Sequence, residues 1–158
     1  MALKVESLKD LGKWALVCAS LVGGCEGLWL VAKPDTLAYG IPTVCFGETE
    51  GVKVGDRYTK DECLAMLAAK LPRYYAEIAR CIKVPVSDNE KIAYTSFAYN
   101  VGSAGFCRSS TARLLNSGHH KEACNGLMSW DRAGGREVQG LKNRRERERA
   151  ICLSGLPR

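Results

Sequence analysis

The pattern of hydrophobic and polar positions along the chain predicts a helix-rich protein. Residues 4–25 form the first predicted helix, because apolar residues recur there at steps of three and four. Two capping boxes, Thr59 with Glu62 and Ser87 with Glu90, predict helices that run from about Lys60 to Arg80 and from Ser87 to about Tyr99. A last helix is predicted from about Lys142 to Leu153.

One short region breaks the helical pattern. Pro34, Gly40 and Pro42 interrupt the chain, and the segment 43–46 (TVCF) is rich in residues that favour strands, so a small hairpin or sheet is predicted. Later glycines divide residues 102–130 into short helices, and residues 131–135 (DRAGG) are predicted to form a turn. The predicted fold class is α+β, with a small β-containing lobe, a larger helical lobe and a cleft between them.

The size of the chain indicates one domain. Its 158 residues and 46% hydrophobic composition are sufficient for a single folded core. We predict one catalytic domain over residues 1–158, divided into an N-terminal helix (1–25), a β-containing lobe (26–58) and a helical lobe (59–158).

The net charge of +6 favours a polyanionic partner such as a cell wall, a membrane surface or a nucleic acid. A nucleic acid is the least favoured of these. In the last helix the arginines alternate with glutamates and form no continuous basic stripe, and the sequence contains no recognition motif.

Eight cysteines are many for a chain of this length. No two of them lie within four residues of each other, and the two histidines are adjacent, so the spacing typical of zinc sites is missing from the sequence. The even number of dispersed cysteines favours disulfides and an oxidising compartment. Buried free thiols in a protein that is kept reduced until its release are the alternative.

The N-terminus allows two interpretations. Residues 14–25 (WALVCASLVGGC) carry no charge and follow three lysines, which is the outline of a signal or signal-anchor sequence. Spanning a membrane requires about 20 apolar residues, and extending the run that far would bury Glu26. A core helix is therefore the preferred interpretation, and transient association with the inner membrane is the alternative.

The segment 26–49 (EGLWLVAKPDTLAYGIPTVCFGET) contains the residues that could carry chemistry. Glu26 closes an apolar helical run and lies near Trp29, where partial burial favours the protonated acid that leaving-group protonation requires. Asp35 follows nine positions later, and the hydroxyl of Thr43 can donate and accept a hydrogen bond at once. Two carboxyl groups and a hydroxyl are the groups that hydrolysis of a glycosidic bond uses.

This segment resembles the active-site segment of the phage-type lysozymes, glycoside hydrolase family 24, whose pattern is Glu, eight residues, Asp, a short turn and Thr. Two further blocks, 96–102 (SFAYNVG) and 140–156 (GLKNRRERERAICLSGL), resemble family motifs in the same order. The turn from Thr36 to Pro42 is two residues longer than the family pattern, and Lys33-Pro34 replaces a tyrosine-containing pair.

The resemblance implies a role for each matching residue. Glu26 would be the general acid, Asp35 and Thr43 would hold the attacking water, and Asn100 would bind the glycan. Arg144 would orient Glu26 and, with Asn100, complete the substrate-binding set. Cysteine-rich members of the family imply the pairs Cys45–Cys63, Cys81–Cys152 and Cys107–Cys124. No metal or organic cofactor is implied.

The predicted function is that of a monomeric endolysin that cleaves the β-1,4 bond between N-acetylmuramic acid and N-acetylglucosamine in bacterial peptidoglycan. It would be held in the cytoplasm of a Gram-negative host before release and would act on the wall in the periplasm. A lytic transglycosylase is the enzymatic alternative, favoured if the longer turn cannot hold water. A non-catalytic cationic protein that binds the wall or membrane is the alternative from another class.

Overall fold

Eleven helices and strands follow one another in the computed structural model, which describes residues 12–157. In chain order these are α1 (Lys13–Gly23), β1 (Trp29–Asp35), β2 (Ile41–Cys45), α2 (Lys60–Ala79), α3 (Asp88–Val101), α4 (Ser103–Arg108), α5 (Ser110–Asn116), α6 (His120–Gly126), β3 (Arg132–Ala133), β4 (Arg136–Glu137) and α7 (Gln139–Ser154). Two 3₁₀ turns, Thr36–Ala38 and Leu127–Ser129, complete them. The α+β class predicted from the sequence is confirmed.

The chain folds as two compact units, Met1–Lys70 and Leu71–Arg158. The boundary falls inside α2, next to Pro72. A proline within a helix has no N–H to donate to the carbonyl four residues earlier, so it interrupts the hydrogen-bond ladder at this point.

In the first unit, β1 and β2 form an antiparallel hairpin in which Lys33 faces Thr43, Pro34 faces Pro42 and Asp35 faces Ile41. Neither proline has an N–H, so the two can face each other only at a position without ladder hydrogen bonds. On the other side of β1, residues 55–58 run alongside, with Tyr58 N–H donating to the carbonyl of Leu30 over 2.9 Å.

Helix α1 packs into the first unit through one face. Ala15, Cys18, Ala19 and Val22 are buried, and they recur at steps of three and four along the helix. This part of the predicted helix 4–25 therefore packs as a core helix, whereas residues 4–11 lie outside the described residues. Between 12 and 157, no helix combines the length and the apolar character that crossing a bilayer needs.

The capping boxes begin their helices as predicted. Thr59 Oγ1 accepts from Glu62 N–H at 3.1 Å while Glu62 Oε2 accepts from Thr59 N–H at 2.7 Å. Ser87 and Glu90 repeat this arrangement at the start of α3. Each box satisfies two N–H groups that a helix start otherwise leaves without partners.

The second unit is a helical core with one small hairpin. Its centre is aromatic: Tyr94, Phe97 and Phe106 are fully buried, and Trp130 meets Phe97 edge to face with a centroid distance of 5.3 Å. Helices α3 and α7 pack against each other in this core. The predicted turn at 131–135 is in fact the hairpin of β3 and β4, closed by Gly134 and Gly135 at φ 59° and 79°.

The disulfides correct two of the three predicted pairs. Cys45–Cys63 is present as expected, but the other bonds are Cys81–Cys107 and Cys124–Cys152. The predicted pairs Cys81–Cys152 and Cys107–Cys124 are therefore wrong. Both observed bonds have Cα–Cα distances of 5.7 Å, which is within the range that a disulfide requires. Cys18 and Cys25 belong to none of the three bonds.

Candidate active site

Glu26 lies in the bend that follows α1. Its N–H donates to the carbonyl of Val22 over 3.1 Å, so the last turn of the helix fixes its backbone, and its side chain is half-buried. Trp29, which begins β1, is also half-buried, and the ammonium of Lys33 lies 3.8 Å from the centre of its ring. A cation at this distance from an indole face is attracted to it, so Lys33 holds the ring of Trp29 along β1.

Asp35 ends β1 and begins the turn. Its Oδ1 accepts a hydrogen bond from Leu37 N–H at 2.9 Å, which caps the 3₁₀ turn, and its carbonyl accepts from Gly40 N–H at 2.7 Å. The carboxylate therefore also has a structural role, since it caps the turn. The cap uses one oxygen only, and among the described residues none donates to Oδ2.

The turn that contains the two additional residues joins strands whose register is regular from Lys33 to Asp35 and shifts between Trp29 and Lys33. Thr36–Ala38 form the 3₁₀ turn, and Tyr39 and Gly40 follow with φ of 55° and 76° in the left-handed region. A tyrosine rarely adopts this conformation. Asp35 lies opposite Ile41 at the base of the turn.

Thr43 shares a face of the hairpin with Asp35. Residues directly opposite in an antiparallel pair point to the same side, and side chains alternate along each strand. Since Thr43 faces Lys33 and Asp35 faces Ile41, Thr43 and Asp35 are diagonal neighbours, whose Cα atoms in such pairs lie about 7–8 Å apart. Thr43 is 7% exposed, and its Oγ1 donates to the carbonyl of Ile41 at 3.1 Å.

In the second unit, Asn100 lies in the last turn of α3 and is exposed. Its Oδ1 accepts from Arg145 Nη2 at 2.6 Å. Because an amide carries separate acceptor and donor atoms, this bond orients the side chain and directs its NH₂ group away from the arginine.

Arg144 lies on α7 and is only 4% exposed. Its Nε donates to Glu148 Oε1 at 3.2 Å and its Nη2 donates to the carbonyl of Ser96 at 3.1 Å. These two bonds hold the guanidinium between α3 and α7.

Sequence reasoning did not identify the residues that complete this buried network. Glu148 is fully buried, accepts from Ser96 Oγ at 2.7 Å and lies 3.2 Å from Arg145 Nε. Burial raises the pKa of Glu148, while Arg145, the Ser96 hydroxyl and Arg144 oppose that rise. Counting back from apolar Cys152 by four and by seven or eight places Glu148, Arg145 and Arg144 on one face, and this signal could have found them.

Another charged pair, Glu48 with Lys70, was also missed. The two residues are far apart in sequence, so no local pattern connects them.

Among residues 12–157 there is no group of three or more His, Cys, Asp or Glu side chains arranged to hold a metal ion.

Comparison with known proteins identifies the family of this chain. The model of the phage lysozyme family matches residues 23–148. A SAR-endolysin of Bacteriophage PS119 is 38% identical over 160 residues, which cover 98% of this chain and 96% of that protein. A SAR-endolysin of Enterobacteria phage P21 is 40% identical over 133 residues, covering 84% and 79%.

A solved structure gives the same result for the fold. The crystal structure of a P22 lysozyme mutant superposes with a TM-score of 0.77 and 29% sequence identity, covering 87% of this chain and 95% of the other. The family match extends over most of the chain and includes Glu26, Asp35, Thr43, Asn100 and Arg144. The chain belongs to the phage lysozyme family.

Proposed function

We propose that this protein is an endolysin with muramidase specificity, which hydrolyses the β-1,4 bond between N-acetylmuramic acid and N-acetylglucosamine. Membership of the phage lysozyme family makes it a peptidoglycan hydrolase; the bond that it cleaves is our proposal. The observation that carries it is the register of the β1–β2 hairpin. Asp35 and Thr43 share one face of this hairpin, and Glu26 precedes it at the family spacing.

In the proposed mechanism, Glu26 protonates the glycosidic oxygen as the bond to the leaving sugar breaks. Asp35 and Thr43 hold a water molecule on the opposite face of the sugar, and Asp35 accepts its proton as the oxygen attacks the anomeric carbon. The attack inverts the anomeric configuration. An inverting pair of carboxyl groups is expected to lie about 6.5–9.5 Å apart.

The hydrogen bonds of the two site residues suit these roles. The Asp35 cap occupies Oδ1, which leaves Oδ2 for the water. Thr43 donates its hydroxyl proton to the carbonyl of Ile41, so its oxygen lone pairs are available to accept from the same water. The acceptors for both water protons would therefore come from one hairpin.

Asn100 and Arg144 are proposed to support substrate binding in different ways. Asn100 is exposed and its acceptor is occupied by Arg145, so its NH₂ group would donate to a glycan oxygen. Arg144 offers little surface to a sugar at 4% exposure. We therefore assign it a positioning role through Glu148 and the carbonyl of Ser96.

The proposed setting is lysis of a Gram-negative host, with the protein acting on the wall in the periplasm. Several relatives carry the name SAR-endolysin, which supports this setting. We further propose that the enzyme is a monomer and that its apolar N-terminal segment associates transiently with the inner membrane. Membrane flotation of the intact chain expressed in cells, together with sedimentation of the purified protein, tests these two points.

Mass spectrometry of the products released from purified peptidoglycan tests the proposal. Soluble fragments that end in reducing N-acetylmuramic acid are expected. Anhydro ends would instead mean a lytic transglycosylase, and folded, oxidised protein that releases no soluble product would mean a binding protein.

Substitution of the proposed acid gives the matched test. Glu26→Gln removes the only proton that this position can donate, and we expect the rate to fall about 10²–10⁴-fold without loss of folding. Asp35→Asn should reduce it strongly as well. Glu50→Gln, a change of the same kind at an exposed glutamate of the same unit, is the control and should retain the full rate. A Glu26→Gln variant that still clears cell walls would rule out the mechanism.

A further inference from the structure

The strand that carries Thr43 continues into a tight turn with an unusual backbone. Val44 and Glu48 pair through both of their backbone hydrogen bonds, at 2.9 and 2.8 Å, and enclose only three residues. Two of those three have positive φ: Cys45 at 58° and Gly47 at 96°. A left-handed cysteine is strained, and such conformations persist only where the surrounding structure enforces them.

Two bonds from one helix enforce this turn. Cys45 is joined to Cys63, and the carboxylate of Glu48 lies 2.5 Å from the ammonium of Lys70. Cys63 and Lys70 are seven residues apart on α2, which is about two helical turns, so both face the same side of the helix. The disulfide fixes the start of the turn and the ion pair fixes its end.

The ion pair is asymmetric. The Glu48 side chain is 7% exposed and that of Lys70 is 35% exposed. Oε1 of Glu48 is buried and accepts no hydrogen bond from any residue between 12 and 157. Among the described residues, Lys70 is therefore the only cation that pairs with this buried carboxylate.

We propose that Glu48 and Lys70 form a positioning pair for the hydroxyl of Thr43. The pair fixes the turn 44–48, the turn fixes the end of β2, and β2 sets where Thr43 holds the attacking water. This inference rests on the proposed function, because it assigns a purpose to the pair only if Thr43 binds that water. Displacement of a reacting group by about 1 Å can reduce a rate about 10²-fold, so a small shift of this turn matters.

The test compares substitutions at both ends of the pair. Glu48→Gln removes the charge and keeps the shape, Lys70→Met removes the cation and keeps the stem, and Lys70→Arg retains a cation. Lys60→Met is the matched control, because Lys60 is exposed on the same helix and forms no ion pair with a described carboxylate. The measurements are kcat and KM on soluble glycan strands, the folded fraction, and the ratio of reducing to anhydro ends.

Loss of positioning should change the chemistry of molecules that remain folded. We expect kcat per folded molecule to fall about 10–100-fold in Glu48→Gln and Lys70→Met with KM unchanged. The share of anhydro ends should rise, because the substrate's own hydroxyl can attack where water is poorly held. Lys70→Arg and Lys60→Met should behave as the wild type.

A double-mutant cycle with Thr43→Ala tests whether the pair acts through Thr43. If it does, Glu48→Gln should cause little further loss of kcat in the Thr43→Ala background. Additive losses would overturn the proposal. The proposal would also be overturned if activity fell only in proportion to the folded fraction, at an unchanged ratio of reducing to anhydro ends. Failure of every variant to fold would overturn it as well. Each of these results would assign the pair a purely structural role.

The proposed function is tested separately in the same experiment. If wild-type protein yields no reducing ends, or if Glu26→Gln retains activity, the mechanism itself fails. If the wild type behaves as a muramidase and the Glu48 and Lys70 variants match Lys60→Met, only the positioning pair fails.

Discussion

The two compact units of the chain bury charged side chains in different ways. In the first unit, Glu48 depends on one partly exposed lysine. In the second unit, Glu148 lies between Arg144 and Arg145 and also accepts from Ser96, and all three charged groups are at most 4% exposed. Among the described residues, the buried carboxylate of the second unit therefore has several partners, whereas that of the first unit has one ion pair.

This difference corresponds to what each unit contributes. The second unit supplies a rigid helical core, and its network joins α3 to α7 through several bonds. The first unit places the proposed catalytic residues on a bend, a turn and a short strand, where a few specific bonds determine position. Functional residues commonly lie on connecting segments that a rigid scaffold holds in place.

The largest expected effect tests the network of the second unit. Arg145→Ala removes a buried cation from Glu148 and a donor from Asn100, and it leaves a cavity beside Phe97, whose ring centre lies 4.8 Å from the guanidinium carbon. We expect a loss of about 3–5 kcal/mol in the free energy of unfolding. Denaturation in urea, followed by circular dichroism, measures it.

Arg149→Ala is the control for this change. Arg149 lies on the same helix but is exposed, with one hydrogen bond to Asn125 at 2.7 Å. Its removal should cost at most about 1 kcal/mol. Equal losses in the two variants would mean that the buried network contributes nothing beyond a surface contact, and the contrast between the units would disappear.

Removal of a disulfide from each unit tests whether activity depends more on the disulfide of the first unit, which lies close to Thr43, than on that of the second. Cys45–Cys63 closes a separation of 18 residues and Cys124–Cys152 one of 28. Chain entropy therefore predicts similar losses, about 3 and about 3.5 kcal/mol. We expect Cys45→Ala/Cys63→Ala also to lower the activity per folded molecule, because Cys45 lies two residues from Thr43 in β2.

Cys124→Ala/Cys152→Ala is the matched variant and should keep the wild-type activity per folded molecule, since its bond lies in the core of the second unit. Specific activity of samples with a known folded fraction distinguishes the outcomes. If both variants kept the wild-type value, the strained turn after β2 would not depend on its disulfide, and the disulfide would not constrain Thr43.

The sequence predicted those parts of the fold that depend on neighbouring residues. The capping boxes at Thr59 and Ser87 marked the starts of α2 and α3, because a cap is made within four residues of chain. The hairpin that carries Asp35 and Thr43 was predicted from prolines, a glycine and a strand-forming run. The roles of Glu26, Asp35, Thr43, Asn100 and Arg144, as well as the single catalytic domain with its cleft, remain predictions.

Contacts between distant segments were less predictable. Two disulfides were predicted wrongly, because the partner of a cysteine depends on which helices pack together. Cys152 lies on α7 and pairs with Cys124 of α6, although its spacing in the sequence favours neither candidate. The burial of Arg145 and Glu148 was missed for the same reason, since it depends on the packing of α7 against α3.

The smallest expected effect is a pH dependence in the core of the second unit. Tyr94 is fully buried, and burial, followed by the charge of Glu90, raises the pKa of its phenol well above the usual value. Because the pKa is higher in the folded state, the stability that the neutral phenol contributes is fully present below about pH 10 and is lost as the pH rises above it. Tyr94→Phe has no such group and should lose less stability there.

At neutral pH the two proteins should differ by at most about 1 kcal/mol, because the one hydrogen-bond partner of the Tyr94 hydroxyl among the described residues is Cys124 Sγ, at 4.0 Å. At pH 11 the variant should have gained about 1 kcal/mol relative to the wild type. Urea midpoints at pH 8 and pH 11 measure the change, with Tyr39→Phe, at a fully exposed tyrosine, as the control for removing a hydroxyl. If the difference in stability between wild type and Tyr94→Phe stayed constant with pH, water would reach this hydroxyl. The core of the second unit would then exclude water less completely than its buried charged groups require.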